Sequence, residues 1–178
     1  MNTGLVSIRY AKALLQTGIE KKELAEVFYN QANNFFLILN ESKEFDDFIK
    51  NPVIKKSQKK QTVRHIFSSF HEILLNFIEV IIDNQREKLI TDIFRDFLDM
   101  YRKYAGIKNI TVYTAISFDN KYKNEILEIL SKRLNTKIEL ECKVEPDIIG
   151  GLVIVSGDKQ ADSSIAGELR ALKKIMMN

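Results

Sequence analysis

One cysteine, two histidines and two prolines are all that this 178-residue chain holds of the residue types that staple a fold, bind a metal or break a helix. The lone Cys142 excludes an internal disulfide and suits a reducing compartment. His65 and His71 fall on different faces of any helix and Cys142 lies far along the chain. Zinc needs three or four convergent ligands, so no metal site is expected. Charge of one sign is not in excess either: 27 basic against 24 acidic residues leave +3, far from the imbalance of a dedicated nucleic-acid binder. The longest apolar stretch, Ile73 to Ile82, is interrupted by Asn76 and Glu79 and falls short of the roughly 20 residues that span a bilayer. Met1 to Ser7 shows no basic segment followed by an apolar core, so neither a secretory signal nor an Arg-rich transit peptide is expected.

Catalytic and nucleotide-binding signatures are missing too. Gly150 and Gly151 lack the spacing of a dinucleotide fingerprint, and no Gly-Lys-Ser or Gly-Lys-Thr phosphate loop occurs. Asp46 with Asp47, or Glu139 with Glu141, could be imagined as acid and base. Neighbouring strand positions point to opposite faces and alternate ones share the solvent face, so a wet surface explains these carboxylates better. No catalytic residue and no cofactor is expected.

What the chain does hold is apolar periodicity. With 45% hydrophobic residues it can bury a real core. From Val6 to about Tyr104 the pattern recurs at three and four residues: Leu24, Phe28, Phe35 and Leu39 make one stripe, and Leu89, Ile93, Phe97 and Tyr104 another. Helices are predicted after Thr3, over Glu20–Asn40, around Phe45, Phe48 and Ile49, over Ser57–Phe70, over Glu72–Asp83 and over Arg86–Tyr104. The third should stop before Asn51 and Pro52, because the residue before proline avoids the helical region. Short connections imply a compact six-helix bundle.

After Gly106 the period becomes two. Ile110, Val112, Thr114 and Ile116 share one strand face, and Ile138, Leu140, Cys142 and Val144 alternate with charged residues. Tyr122, Ile126, Ile129, Leu130 and Leu134 mark a helix from about Asp119 to Asn135 between them. Pro146, Gly150 and Gly151 predict a bend and then a buried strand over Leu152–Val155. Gly157 and Asp158 supply a turn, and Asp162, Ser163 or Ser164 can cap a last helix. The whole is α+β: the N-terminal six-helix bundle over 1–105, then a small α/β C-terminal domain with one short sheet over 106–178, with a brief hinge near Ala105 and Gly106.

Two surfaces stand out. In Glu72–Asp83 the polar residues Glu72, Asn76, Glu79 and Asp83 form one narrow stripe and the rest is apolar. Such a helix is either central or covered from outside by another chain. The first helix has Ile8, Ala11 and Leu15 on one face and Tyr10, Ala13, Leu14 and Thr17 on another, so the same two readings hold. Lys55, Lys56, Lys59 and Lys60 form the one real basic cluster. It reads as the wet face of a helix, or as an alternative function in which a helical protein binds nucleic acid.

Along nearly its whole length the chain resembles the delta subunit of F-type ATP synthase, the family of the mitochondrial oligomycin-sensitivity-conferring protein. Ile8 to Leu14, then Phe48, Asn51 and Pro52, then Asp83, Asn84 and Arg86, then Thr114 and Ala115, then Pro146, Ile149, Gly150 and Gly151, then Asp162, Ser164, Ile165 and Leu169 carry the likeness. Ser163 stands where the family often has glycine, and Gln160 and Ala161 are more polar or smaller than its usual apolar residues, which argues against a strand at that point. The resemblance implies a non-catalytic stator component. Its helical domain would hold the N-terminal helix of an alpha subunit of the catalytic head between the first and fifth helices, and its C-terminal domain would meet a b-type peripheral stalk. Tyr10, Ala13 and Leu14, with Leu74, Ile78 and Ile81, are then expected to line the groove. The expected location is the cytoplasmic face of a bacterial inner membrane, reached only through the complex, with no nucleic acid and no small-molecule substrate.

Overall fold

The computed structural model describes residues 3–21 and 24–176. Six α-helices come first among these: α1 (Thr3–Glu20), α2 (Leu24–Glu41), α3 (Lys43–Lys50), α4 (Lys56–Ile66), α5 (Glu72–Asp83) and, after a 3-10 turn at Glu87–Leu89, α6 (Ile90–Ala105). A sheet and two helices follow: β1 (Lys108–Thr114), α7 (Asn120–Leu134), β2 (Ile138–Val144), β3 (Gly151–Ser156), β4 (Lys159–Ser164) and α8 (Ile165–Met176). The chain divides into two compact units between Tyr101 and Arg102.

Local chemistry sets most helix ends in the first unit. The Ser42 hydroxyl accepts from the Phe45 amide at 3.2 Å and starts α3; Asn51, ahead of Pro52, leaves the helical region at ψ 119° and ends it. His71 starts α5 by accepting the Ile73 amide on Nδ1 at 3.2 Å. Two predicted helices are shorter than their periodicity. α2 begins at Leu24 and not Glu20, with Lys22 and Glu23 outside the described residues. α4 ends at Ile66 and not Phe70, because Phe67 leaves helical angles (φ −105°, ψ 35°) and places its ring 4.9 Å from that of Phe35.

Side chains from all six helices are buried in this unit: Leu14, Phe28, Phe35, Ile49, Val63, Leu74, Ile78, Phe94 and Phe97 among them. Phe35 meets Phe45, Phe67 and Phe94 at centroid distances of 4.6–6.1 Å, tying α2, α3, the end of α4 and α6 together. Each such ring contributes about 2–3 kcal/mol by burial. Gly18 lets α1 approach α2, since a Cβ there would lie 2.9 Å from the Ala25 Cα.

One buried group contradicts the sequence. Lys59, expected on the wet face of its helix, is 2% exposed, with Nζ 2.8 Å from Glu87 Oε1. Its aliphatic stem lies on the inward face of α4 with Val63, and the 3-10 turn before α6 supplies the carboxylate that neutralises it.

The second unit is built on a four-stranded sheet in the order β2-β1-β3-β4. β1 and β2 are parallel, joined through α7, with Val112 opposite Cys142; β1–β3 and β3–β4 are antiparallel. Asp119 caps α7 by accepting the Tyr122 amide at 2.9 Å, and Asn135 ends it in the left-handed region. Cys142 is half-buried.

β4 is the element that side-chain periodicity did not predict. It is an edge strand, exposed throughout except for Ser164, so backbone pairing with β3 around the Gly157 turn (φ 58°) forms it without a buried face. Among the three candidate caps of α8, Ser164 serves: its hydroxyl accepts from the Gly167 amide at 3.0 Å. Asp162 accepts from both the amide and hydroxyl of Ser164, and from Arg170 at 3.1 Å. The Ser164 bonds, then Arg170, hold the Asp162 carboxyl below its ordinary range. Its contribution is therefore present at neutral pH and lost as pH falls through that depressed value. Gly151 sits at φ +74°, where a Cβ would lie 2.2 Å from the Ser163 carbonyl oxygen; only glycine fits there.

Two stability outcomes follow. Lys59→Met should cost about 3–5 kcal/mol by leaving Glu87 buried and unpaired, and adding Glu87→Leu should restore most of it; chemical denaturation checks both, and a single variant as stable as the parent would refute the pairing. Gly151→Ala should lower the stability of the second unit by at least about 2 kcal/mol, read as an earlier loss of amide protection in its strands.

Candidate functional site

α5 turns about 100° per residue, and its side chains fall into three sectors. The polar stripe forms the first and is turned onto α4. Arg64 donates to Glu72 at 2.9 Å, to Asn76 at 2.8 Å, and through Nε to Glu79. Lys60 meets Asp83 at 2.6 Å and Glu79 at 4.0 Å, and Lys56 donates to the Asp83 carbonyl at 2.7 Å. Hydrogen bonds to Glu79 and then to Glu72 raise the Arg64 pKa further, so the guanidinium stays charged.

This ladder uses the basic cluster. Lys56, Lys59 and Lys60 each hold a partner inside the first unit. Lys55 is left as the one member with no such side-chain bond among the described residues, too little for a strip that tracks phosphates.

The second sector is core. Leu74, Ile78 and Ile81, expected to line a groove, are each 0% exposed, and Leu14 of α1 is 2% exposed. Turning the polar stripe onto α4 rotates these α5 side chains inward. They support the helix and do not face solvent.

The third sector is open. Ile73, Phe77, Val80 and Asn84 follow one another at four, three and four residues; Ile73 and Phe77 are half-buried, Val80 and Asn84 exposed. On α1, Val6, Tyr10, Ala13 and Thr17 repeat the same spacing, with Ala13 exposed and the other three half-buried. Tyr10 joins the two stripes. Its ring stands edge-on to Phe77 at 6.1 Å, and its hydroxyl accepts from Asn84 Nδ2 at 3.1 Å and from Arg86 at 2.9 Å. The Arg86 guanidinium also lies 5.3 Å from the centre of that ring. Beside this junction is a cavity of about 230 Å³ lined by Val6, Arg9, Tyr10, Ala13 and Arg86.

Tyr10 and Ala13 are thus the expected site residues that lie on the cavity wall. Ile73, Phe77, Val80, Arg9 and Arg86 were missed. The signal for the α5 residues was present: once the polar stripe is assigned to a neighbour, the remaining four-three-four spacing marks a second helix contact. Chemically the site is an apolar, aromatic trough with a basic rim, suited to receiving a helix. Among the described residues no three His, Cys, Asp or Glu side chains converge as metal ligands, and no helix is long and apolar enough to cross a membrane.

Similarity to known proteins covers the whole chain. The family described as ATP synthase delta (OSCP) subunit matches residues 6–176. The chain is 29% identical over 181 residues to ATP synthase subunit delta of Flavobacterium psychrophilum, covering 100% of both chains. It is 32% identical to the proteins of that name from Fusobacterium nucleatum, with 95% of this chain and 97% of that one covered, and from Heliobacterium modesticaldum, with 99% and 96%. Its fold matches a chain in a cryo-EM structure of the Toxoplasma gondii mitochondrial ATP synthase hexamer with a TM-score of 0.72 at 23% identity, covering 97% of each.

The sectors predict different responses to one substitution. Ile78→Asp should bury an uncompensated carboxylate and cost more than about 3 kcal/mol. Val80→Asp, at a site 47% exposed, should stay within about 1 kcal/mol of the parent. Thermal unfolding of the two variants decides; equal losses would refute the division of α5.

Proposed function

Because the chain belongs to the ATP synthase delta (OSCP) subunit family, we propose that it is a non-catalytic stator subunit linking the catalytic head of an F-type ATP synthase to its peripheral stalk. While a proton-driven rotor turns within the head, this link keeps the alpha and beta subunits from turning with it, and rotation is then coupled to ATP synthesis. The observation that carries the reading is the pair of matched stripes on α1 and α5. Two helices presenting mostly apolar residues at four, three and four can enclose one further helix by side-chain interdigitation. The occupant is the N-terminal helix of an alpha subunit, and the six helices act as one bundle that shapes its groove.

The second unit supplies the other end of the link, to b-type stalk subunits. Ile165, Leu169, Leu172 and Met176 of α8 are 46–86% exposed and follow the same four-three-four spacing. That stripe favours a helical partner, as expected of a stalk. The protein works as a peripheral component on the cytoplasmic face of a bacterial membrane, attached through the complex. Nucleic-acid binding is the weaker reading, because Lys56 and Lys60 are engaged by α5 and Lys59 by Glu87 of the 3-10 turn.

Val80→Asp should weaken capture of the cognate alpha subunit's N-terminal peptide at least about tenfold, or ~1.4 kcal/mol, with the fold intact by circular dichroism. Re-adding the wild-type chain to membranes stripped of it should restore proton-coupled ATP turnover, and the variant should restore less. Full capture by folded Val80→Asp, or no restoration by the wild type, would overturn the assignment.

A further inference from the structure

Arg9 and Arg86 both line the cavity beside Tyr10, and no carboxylate lines it with them. Lys50, Lys59, Lys60 and Arg64 each hold a carboxylate of the same unit. Arg9 has no ion pair or hydrogen bond among the described residues, and Arg86, although half-buried, meets only the hydroxyl and ring of Tyr10. An arginine carries five N–H donors in a fork that matches a carboxylate. Most of those of Arg86 are unused. In the four-three-four frame of Val6, Tyr10, Ala13 and Thr17, Arg9 occupies the flank of the seam, the position at which charges select the partner and orientation of a packed helix.

We propose that Arg9 and Arg86 form a carboxylate clamp that fixes the register of the helix bound between α1 and α5, which must therefore carry an acidic side chain facing the cavity. The proposal rests on the reading of that trough as a helix-binding groove. The apolar stripes alone would tolerate a slip of the guest by one turn, because a repeated four-three-four pattern meets itself again. A single carboxylate held by two guanidinium groups removes that freedom. It also makes one end of the site attractive to negative charge before contact, which raises the association rate more than the final affinity.

The test uses the full-length chain and a synthetic peptide of the cognate alpha subunit's N-terminus, together with peptides in which each Asp or Glu is replaced in turn by Lys. Arg9→Glu should lower peptide affinity at least tenfold at low salt, with a smaller loss at about 1 M salt where exposed charges are screened, and Arg9→Gln should lie between. One acidic-to-Lys peptide should recover affinity for Arg9→Glu while binding the wild type poorly. Wild-type peptide binding that Arg9→Glu and Arg9→Gln leave unchanged would overturn the clamp and leave the groove standing. Absence of peptide binding by folded wild-type protein would instead remove the groove reading and the clamp with it. Displacement of the peptide by millimolar inorganic phosphate at constant ionic strength would assign the two arginines to a free anion and overturn the proposal.

Discussion

The charged ladder between α4 and α5 is the constraint on which the first unit depends. Arg64, Lys60 and Lys56 meet Glu72, Asn76, Glu79 and Asp83 in antiparallel order, so α5 has one rotation about its axis that satisfies them. Each of these half-exposed pairs contributes little to stability, of order 0–1 kcal/mol. Their consequence is geometric. With the polar stripe committed, Leu74, Leu75, Ile78, Ile81 and Ile82 point into the core, and Ile73, Phe77 and Val80 are left at the surface beside α1. Burial supplies the energy of the unit, and the ladder decides which apolar residues are buried.

Lys59 and Glu87 add a bolt to the same arrangement. A buried ion pair gains roughly what its desolvation costs, so it is weak evidence for extra stability. Its geometry still matters: at 2.8 Å with both groups nearly dry, it ties α4 to the turn that starts α6, close along the chain to Asn84 and next to Arg86. Those two residues hold the Tyr10 hydroxyl. The placement of Tyr10 on the cavity wall thus follows from contacts that start in α4, and α4 itself contributes nothing to the cavity lining.

How much of this was legible depended on whether a feature was carried by one element or by two. Helix and strand identities are written in single-segment periodicity, and α3, α5, α7 and β2 stand close to where spacing and caps put them. β4 was not legible because an edge strand held by backbone pairing needs no apolar alternation, and Gln160 and Ala161 carry none. The end of α4 was missed because tertiary packing of Phe67 overrode a pattern that continued to Phe70. The α5 half of the expected groove lies in the core for the same kind of reason. Leu74, Ile78 and Ile81 come from a wide apolar arc whose members hydrophobicity alone does not rank, and an open face is made of what the core leaves over. Lys59 failed for the opposite reason: nothing in a run of lysines reveals that Glu87 lies behind one of them.

The two units solve different problems, and the contrast bears on how a static link can be strong. The first buries rings from α2, α3 and α6 and that of Phe67, and leaves a narrow trough at Tyr10. In the second, α7 has no buried residue, and among the described residues the closed core amounts to a few side chains such as Ile110, Val112, Ile148 and Val153. At Ile149 a β-branched residue takes φ 65° in a tight turn in which the Gly150 amide reaches the Ile148 carbonyl at 2.7 Å, with its side chain 62% exposed. Such a conformation is costly for isoleucine and persists only where its surroundings determine it. A unit with this much apolar surface outside and so little inside gains more from a partner than a well-packed one does, because the area still available for burial is larger. A stator loaded at both ends needs slow dissociation at each, since the weaker joint sets its lifetime. In the proposed stator, a firm trough for a guest helix and a sparsely packed sheet unit open to a partner would be two routes to that end within one chain.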